Sequence, residues 1–302
     1  MAYRLGVDIG GTTIKFGVID ENYNIVEKTK IATEKELGAD AILNDIISSC
    51  KEYMKKYDIS FVGVGSPGRL SADRRSIDYA GNLPFEKTPI ADTLQNALSL
   101  PVMLDNDGNC AVLGEKVAGK GKIYNDLIVL TIGTGIGGGI MVGGKVYHGS
   151  NNMAGELGHF VINCDGPECS CGLNGCFEKY ASITALISQT ASAVRANPKS
   201  ILAEIVGGNS KLVDGKTAFQ AASKGCDVAK SVLYNYMRYL AIGINSLVKI
   251  FQPEAFVLSG GVTVEGDEFM RLLQPRLISD VHVRISNLKN DAGIIGASAL
   301  ND

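Results

Sequence analysis

His159, Cys169, Cys171 and Cys176 follow one another at spacings of 10, 2 and 5 residues. Imidazole and thiolate are borderline and soft ligands. Four of them complete the tetrahedral shell of a structural zinc ion and leave no position for an activated water. The competing reading, four unlinked buried side chains, has little core to draw on, because Cys169-Ser170-Cys171-Gly172 and Asn174-Gly175-Cys176 are turn sequences. Cys164 lies near enough to replace a ligand and is expected to stay free. Glu156 and Glu178 flank the set, and carboxylates gathered beside an imidazole suit adjacent hydroxyl groups. His148 and His282 lack comparable neighbours and are expected at the surface.

Two glycine turns raise a second chemistry. Asp8-Ile9-Gly10-Gly11-Thr12-Thr13 and Thr131-Ile132-Gly133-Thr134-Gly135 each follow an apolar run, where bare backbone N–H groups can surround phosphate oxygens. Ordinary hairpins explain either turn alone. The two together, with a third small-residue turn from Ser259 to Val262, point to a bound nucleotide. Neither turn ends in Gly-Lys-Ser/Thr, and neither is a GxGxxG entering a helix, so P-loop and dinucleotide-binding readings lose ground. Asp107 has two readings: a helix N-cap, or a general base that with Asn106 holds a substrate hydroxyl as it attacks phosphorus. Asp8 at a strand end suits a hydrated magnesium ion, which keeps its waters and takes few carboxylates.

The elements that position these residues alternate between strand and helix, which makes an α/β fold. Residues 3–9, 13–19 and 25–32 alternate as a three-strand meander. Ala41 to Lys56 places Ile42, Leu43, Ile46, Ile47, Cys50, Tyr53 and Met54 on one helical face. A strand over Phe61–Gly65 leads to Ser66-Pro67-Gly68; a helix over Pro89–Leu98, a strand over Val102–Leu104 and a helix over Asn109–Val117 follow. The motif at Asp8-Ile9-Gly10 then recurs at Thr131-Ile132-Gly133, an offset of 123 residues, so the chain reads as two related halves. Helical patterns run from Ile183 to Val206 and from Val228 to Phe251, the latter stopping before Pro253. Ala255–Leu258 is a short strand, and Gly293 to Leu300 is expected to pack back on the first half. A domain boundary is placed near residue 118, giving residues 1–118, joined by 290–302, and a larger domain over 119–289.

Composition excludes several classes. The 302 residues carry 29 Lys plus Arg against 32 Asp plus Glu, net charge -3, with no basic stripe; duplex nucleic acid is therefore not an expected partner. Leu127–Gly144 is uncharged but contains seven glycines and reads as strand, turn, strand rather than a membrane span. Asp8 precedes any signal-length apolar run, so the cytoplasm is the expected compartment, where seven cysteines serve as ligands or buried thiols rather than disulfides. Glycine, 36 of 302, exceeds the roughly 7 % usual in proteins and calls for tight turns or close backbone contacts.

These motifs resemble the ROK family of sugar kinases and sugar-responsive repressors, in the sugar kinase and actin superfamily, over nearly the whole chain. DIGGTT at 8–13 looks like the family's first phosphate motif, residues 130–159 like its signature, CSCGLNGCFE at 169–178 like its zinc loop and LSGGV at 258–262 like its adenosine-side turn. The resemblance implies a two-lobed, actin-like (ribonuclease H-like) α/β fold and an ATP-dependent hexose kinase, glucose being the first expectation. N-acetylmannosamine, N-acetylglucosamine, allose, fructose or a β-glucoside are the alternatives. It further implies Asp107 as base and Gly68, Asn82, Asn106, Glu156, His159 and Glu178 as sugar contacts. Asp8, Gly10, Gly11, Thr12, Thr13, Lys15, Gly133, Thr134, Gly135, Gly260 and Gly261 would serve ATP and magnesium, and His159 would serve both sugar and zinc. Thr13 and Ser259 depart from the residues frequent there. A homodimer or higher oligomer is implied by resemblance alone. A repressor would need a DNA-reading segment before the first strand, and only three residues precede Arg4, so none is expected.

Overall fold

Alternating apolar residues make the first 32 residues an antiparallel meander of β1 (Tyr3–Ile9), β2 (Thr13–Ile19) and β3 (Ile25–Ala32), the bounds expected from the sequence. The computed structural model describes residues 2–278 and 281–302, without the side chains of Val262 and Val264. Helix α1 (Ala39–Met54) leads to β4 (Ile59–Ser66). Three short strands follow, β5 (Arg69–Leu70), β6 (Ile77–Tyr79) and β7 (Glu86–Thr88), then α2 (Ile90–Leu98), β8 (Val102–Asn106) and α3 (Asp107–Val117). The second half begins with β9 (Leu127–Ile132), β10 (Ile136–Val142) and β11 (Lys145–Val146). Helices α4 (Glu178–Ala181), α5 (Ile183–Ala196), α6 (Ile201–Ile205), α7 (Thr217–Ser223) and α8 (Asp227–Phe251) come next. The chain closes with β12 (Ala255–Ser259), α9 (Gly266–Leu273), β13 (His282–Ile285) and α10 (Ala292–Ser298).

The two halves repeat one topology. One sheet has the order β3-β2-β1-β4-β8 and the other β11-β10-β9-β12-β13, so each is a meander extended by two later strands. β1, β4 and β8 run parallel, as do β12 and β13, and their helical crossovers complete the α/β pattern. Two compact units result: residues 1–129, 138–155 and 286–302, and residues 130–137 with 156–285.

In the first unit Leu5, Val7, Phe16, Val62 and Val64 share one buried cluster with Ile42, Ile46 and Cys50 of α1. Burying such an aliphatic side chain contributes about 1.5–3 kcal/mol. Helix α10 lies on β1, β4 and α3. A Cβ at Gly6, Gly63 or Gly114 would strike the carbonyl of Ile294, Ala297 or Ala292 respectively, so part of the glycine excess lets these backbones touch. In the second unit α8 buries Leu233, Met237, Leu240, Ile244 and Leu247 along one stripe and ends at Gln252 in the left-handed region, before Pro253. The helical patterns from Ile183 to Val206 are the two helices α5 and α6, separated at Pro198, which cannot donate within a helix.

Candidate active site

Parallel register places Asp8, Gly65 and Asp105 side by side at the ends of β1, β4 and β8, the edge where open α/β sheets bind ligands. Asp8 faces Lys15 across the hairpin, Nζ to Oδ2 at 2.8 Å. The turn between them is tight: Gly10 N–H donates to Thr13 O at 3.0 Å, Thr33 N–H to Thr12 O at 2.9 Å and Thr33 Oγ1 to Gly10 O at 2.7 Å. A Cβ on Gly11 would stand 3.7 Å from the Cβ of Asn82, so this turn and the Gly81-Asn82-Leu83 segment are neighbours. Gly68 has φ of +111°, and a Cβ there would stand 2.7 Å from Tyr79 O; only glycine fits.

Asn106, not Asp107, caps α3. β8 stays extended through Asn106, whose side chain accepts from Gly108 N–H at 2.9 Å. Asp107 is therefore the first helical residue, and its Oδ1 accepts from the same N–H at 2.9 Å. A Cβ at Gly108 would strike the carbonyl of Gly138, so this first turn lies directly against β10.

His148 is half-buried, a correction to its expected place at the surface. Its Nε2 bonds Asp105 Oδ2 at 2.7 Å, and Arg74 Nη1 bonds the same oxygen at 3.1 Å. Burial would push Asp105 up, but the His148 hydrogen bond and charge, with bonds from Asn109 and the Asn106 N–H, hold it below the usual carboxylate range. Partners 31 and 43 residues distant leave no local signal. The only hint was a carboxylate in an apolar strand.

In the second unit the backbone brackets His159. Phe177 N–H donates to Phe160 O and Glu178 N–H to Gly158 O, both at 2.9 Å; Cys176 pairs with Val161, and the Cys176 Sγ reaches His159 O at 3.2 Å. Phe177, fully buried, stacks on Phe160 at 5.2 Å and lies where a side chain on Gly243 of α8 would otherwise be. Cys169 and Cys171 sit on a knuckle in which Cys169 N–H donates to Leu173 O at 2.8 Å and Gly172 has φ of +90°.

The four ligand atoms lie within 4.8 Å of one another, with His159 Nδ1 3.5 Å from Cys169 Sγ and Cys171 Sγ 3.5 Å from Cys176 Sγ. Tetrahedral zinc bonds of about 2.0–2.3 Å space ligands by roughly 3.3–3.8 Å, so the donor set fits zinc. Burial opposes a Cys169 thiolate, but hydrogen bonds from Cys171, Cys176 and His159 hold this thiol down to about 7, whereas burial and the adjoining thiols push Cys176 up to about 12. A cation is what lets neighbouring thiolates coexist. Cys164 is exposed and outside the group, and no cysteine is bridged. With Nδ1 turned to the sulfurs, His159 Nε2 faces Glu156 Oε2 at 4.0 Å.

Glu178 occupies an unexpected place. Its Oε2 accepts from Ile136 N–H at 2.9 Å and fills the space where a Gly135 side chain would be. Gly133 N–H donates to Gly135 O and Gly133 O accepts from Ile183 N–H, both at 2.9 Å, while Thr134 is exposed at the tip. Gly260, at φ +102°, lies against the Ile132 carbonyl, and a Cβ on Gly261 would stand 3.0 Å from Ile183 Cδ1. The two glycine turns of this unit are thus neighbours, with Glu178 bracing one of them.

Duplicated five-stranded sheets, glycine turns at their strand ends and a zinc-type loop define an actin-like α/β scaffold. The chain belongs to the ROK family, whose model matches residues 4–302. It is 36 % identical to a glucokinase of Halalkalibacterium halodurans, over 99 % of this chain and 94 % of that one. It is 34 % identical to a glucokinase of Streptomyces coelicolor, over 99 % and 98 %. The crystal structure of a ROK family glucokinase from Streptomyces griseus in complex with glucose and AMPPNP superposes with a TM-score of 0.85 at 33 % identity, covering 99 % of this chain and 98 % of that one.

Proposed function

We propose that this protein is an ATP-dependent kinase that transfers the γ-phosphoryl group to the 6-hydroxyl of a hexose, with glucose as the preferred acceptor. One observation carries the reading: a carboxylate, Asp107, opens α3 at the end of β8 in a chain 36 % identical to a glucokinase over 99 % of its length. Asp107 takes the proton of the attacking hydroxyl. Asn82 and Asn106 are assigned to sugar hydroxyls, as are Gly68, Glu156, His159 and Glu178. The N–H groups of Gly10, Gly11, Thr12 and Thr13, and of Gly133, Thr134 and Gly135, are assigned to phosphate oxygens, and Gly260 and Gly261 to the adenosine side. Lys15 holds Asp8 in place.

Magnesium bound with ATP would neutralise charge on the transferring group, and Asp8 would accept hydrogen bonds from its waters. Zinc on His159, Cys169, Cys171 and Cys176 would fix the imidazole so that Nε2 stays turned toward Glu156. We assign the protein to the cytoplasm and to a homodimer or higher homo-oligomer, which light scattering tests; among the described residues no helix is long and apolar enough to cross a membrane.

The test is ADP release with magnesium-ATP across glucose, N-acetylmannosamine, N-acetylglucosamine, allose, fructose and a β-glucoside, with Asp107→Asn as blank. Turnover on glucose far above the rest, reduced about 10³-fold or more in the variant, is expected. A different best sugar would move the substrate, and turnover by the variant at the wild-type rate would overturn the mechanism.

A further inference from the structure

The Asp105 side chain is 2 % exposed, and a carboxylate buried to that degree needs its lone pairs answered. Its Oδ1 accepts from Asn106 N–H at 2.7 Å and Asn109 Nδ2 at 2.8 Å. Its Oδ2 accepts from His148 Nε2 at 2.7 Å and Arg74 Nη1 at 3.1 Å. The first two donors flank Asp107 in the chain, since Asn106 caps α3 and Asn109 belongs to its first turn. Asp105 is the only hydrogen-bond partner of the Asn109 side chain among the described residues, the Asn109 Oδ1 being buried without one. Whatever orders Asp105 therefore orders both residues around Asp107.

The other two donors come from distant segments, Arg74 from the β5–β6 connection and His148 from just after β11. Arg74 Nη1 and His148 Nε2 are 2.8 Å apart. Nε2 cannot donate to Asp105 and accept from Arg74 at once, so the carboxylate is what holds them together. Asn152 adds a second tie between the same segments, its Nδ2 donating to Ser71 O at 2.9 Å and Ala72 O at 3.2 Å. The receiving turn is itself well braced: Ser71 Oγ accepts from the N–H groups of Arg75 and Ser76 and donates to Asp73, and Arg75 forks onto Asp92.

We propose that His148 and Arg74 are positioning residues of the phosphoryl transfer, which through Asp105 fix the β8–α3 turn and with it the place of the Asp107 carboxylate. The proposal rests on the reading of Asp107 as the base. Removing the imidazole leaves a buried lone pair on Asp105 unanswered. The carboxylate then turns, which releases the Asn106 N–H and the Asn109 amide, or takes a proton on Oδ2, which removes the charge and weakens both bonds. A shift of about 1 Å in a reacting group costs about 10² in rate. Neither His148 nor Arg74 is assigned to the sugar or the nucleotide, and the Asn106 side chain keeps its own bond from Gly108 N–H, so binding changes little while the Asp107 carboxylate shifts.

The experiment compares His148→Ala, His148→Gln, Arg74→Ala and Asp107→Asn by steady-state kinetics on glucose, with glucose affinity measured by calorimetry. The expected result is a kcat lowered about ten- to a hundredfold in His148→Ala and less in Arg74→Ala, with the ATP KM and glucose Kd within about twofold of wild type. His148→Gln recovers most of the loss, because its amide N–H donates to Oδ2. Wild-type kcat in His148→Ala, no recovery in His148→Gln, or a glucose Kd that weakens in step with kcat overturns the positioning role. Arg74, 43 % exposed, carries the same test where His148→Ala does not fold. Asp107→Asn separates the two ideas: full activity there removes the base itself, whereas an inactive Asp107→Asn beside an unaffected His148→Ala removes only the positioning role.

Discussion

Glu178 joins the zinc loop to the second glycine turn through one hydrogen bond, and that bond sets a measurable quantity. Its Oε2 accepts from the N–H of Ile136 at 2.9 Å, and Ile136 is 4 % exposed. A hydrogen bond to a charged group contributes about 1.5–3 kcal/mol, so Glu178→Ala is expected to destabilise by about 2 kcal/mol. At 2–4 °C per kcal/mol for a unit of this size the melting temperature falls by about 4–8 °C. Glu178→Gln keeps an amide oxygen able to accept from the same N–H. It loses only the charge and is expected to fall by about half as much. Thermal unfolding of the ligand-free protein measures the strut alone, with no contribution from bound sugar. The ATP KM of Glu178→Ala should rise at the same time, because the Gly133–Gly135 turn loses its brace. A melting temperature within 1 °C of wild type, or a Gln variant no better than Ala, would refute the reasoning.

Metal analysis of the purified protein should give about one zinc per chain, reduced in Cys171→Ser; zinc-free protein with full activity would end the structural role of the cluster. Gly63→Ala forces a Cβ onto the Ala297 backbone and should cost up to about 3 kcal/mol in denaturant unfolding, while Gly81→Ala, which meets nothing within 4 Å, stays within about 0.5 kcal/mol. Asp105 is held below its unfolded value near 3.9, so its contribution is present above that pH and is lost as pH falls through the lower folded value. The stability gap between wild type and Asp105→Asn should therefore narrow below about pH 4, and a gap constant from pH 7 to pH 3 would contradict the assignment.

Local chemistry was legible in the sequence wherever its signal was local. The meander strands were read to the residue because alternation delimits them, and the grouping of His159, Cys169, Cys171 and Cys176, which the fold does bring together, because their spacing has few other uses. The start of α3 was misread by a few residues, since Asp105-Asn106-Asp107 offers three side chains of similar capping power and only the extended backbone at Asn106 decides among them. Strands β5, β6 and β7, of two or three residues each, are too short to show a period. The Asp105–His148–Arg74 group stayed hidden for another reason. Its members sit in three separate segments, and tertiary packing alone turns a histidine in a glycine-rich loop toward a buried carboxylate. Glu178 drew notice as a carboxylate beside the cysteine loop, but nothing in its neighbourhood indicated that one oxygen would be taken by Ile136 N–H.

Comparing the two repeated hairpins shows where the halves have diverged. At the 123-residue offset Asp8 corresponds to Thr131 and Lys15 to Gly138, so the ion pair of the first hairpin has no counterpart in the second. The close approach here is made by Gly108 and Gly139: a Cβ on Gly108 would strike the Gly138 carbonyl, and one on Gly139 would stand 2.4 Å from Gly108 O, so the second hairpin is kept bare where it meets the turn that carries Asp107. The second hairpin takes its carboxylate from outside instead: Glu178, at the end of the zinc loop, reaches the N–H of Ile136, the residue that corresponds to Thr13. The first hairpin is thus braced by its own strands, and the second by an inserted loop whose geometry a metal ion would fix. Loss of zinc should accordingly loosen the Gly133–Gly135 turn and leave the Gly10–Thr13 turn as it is.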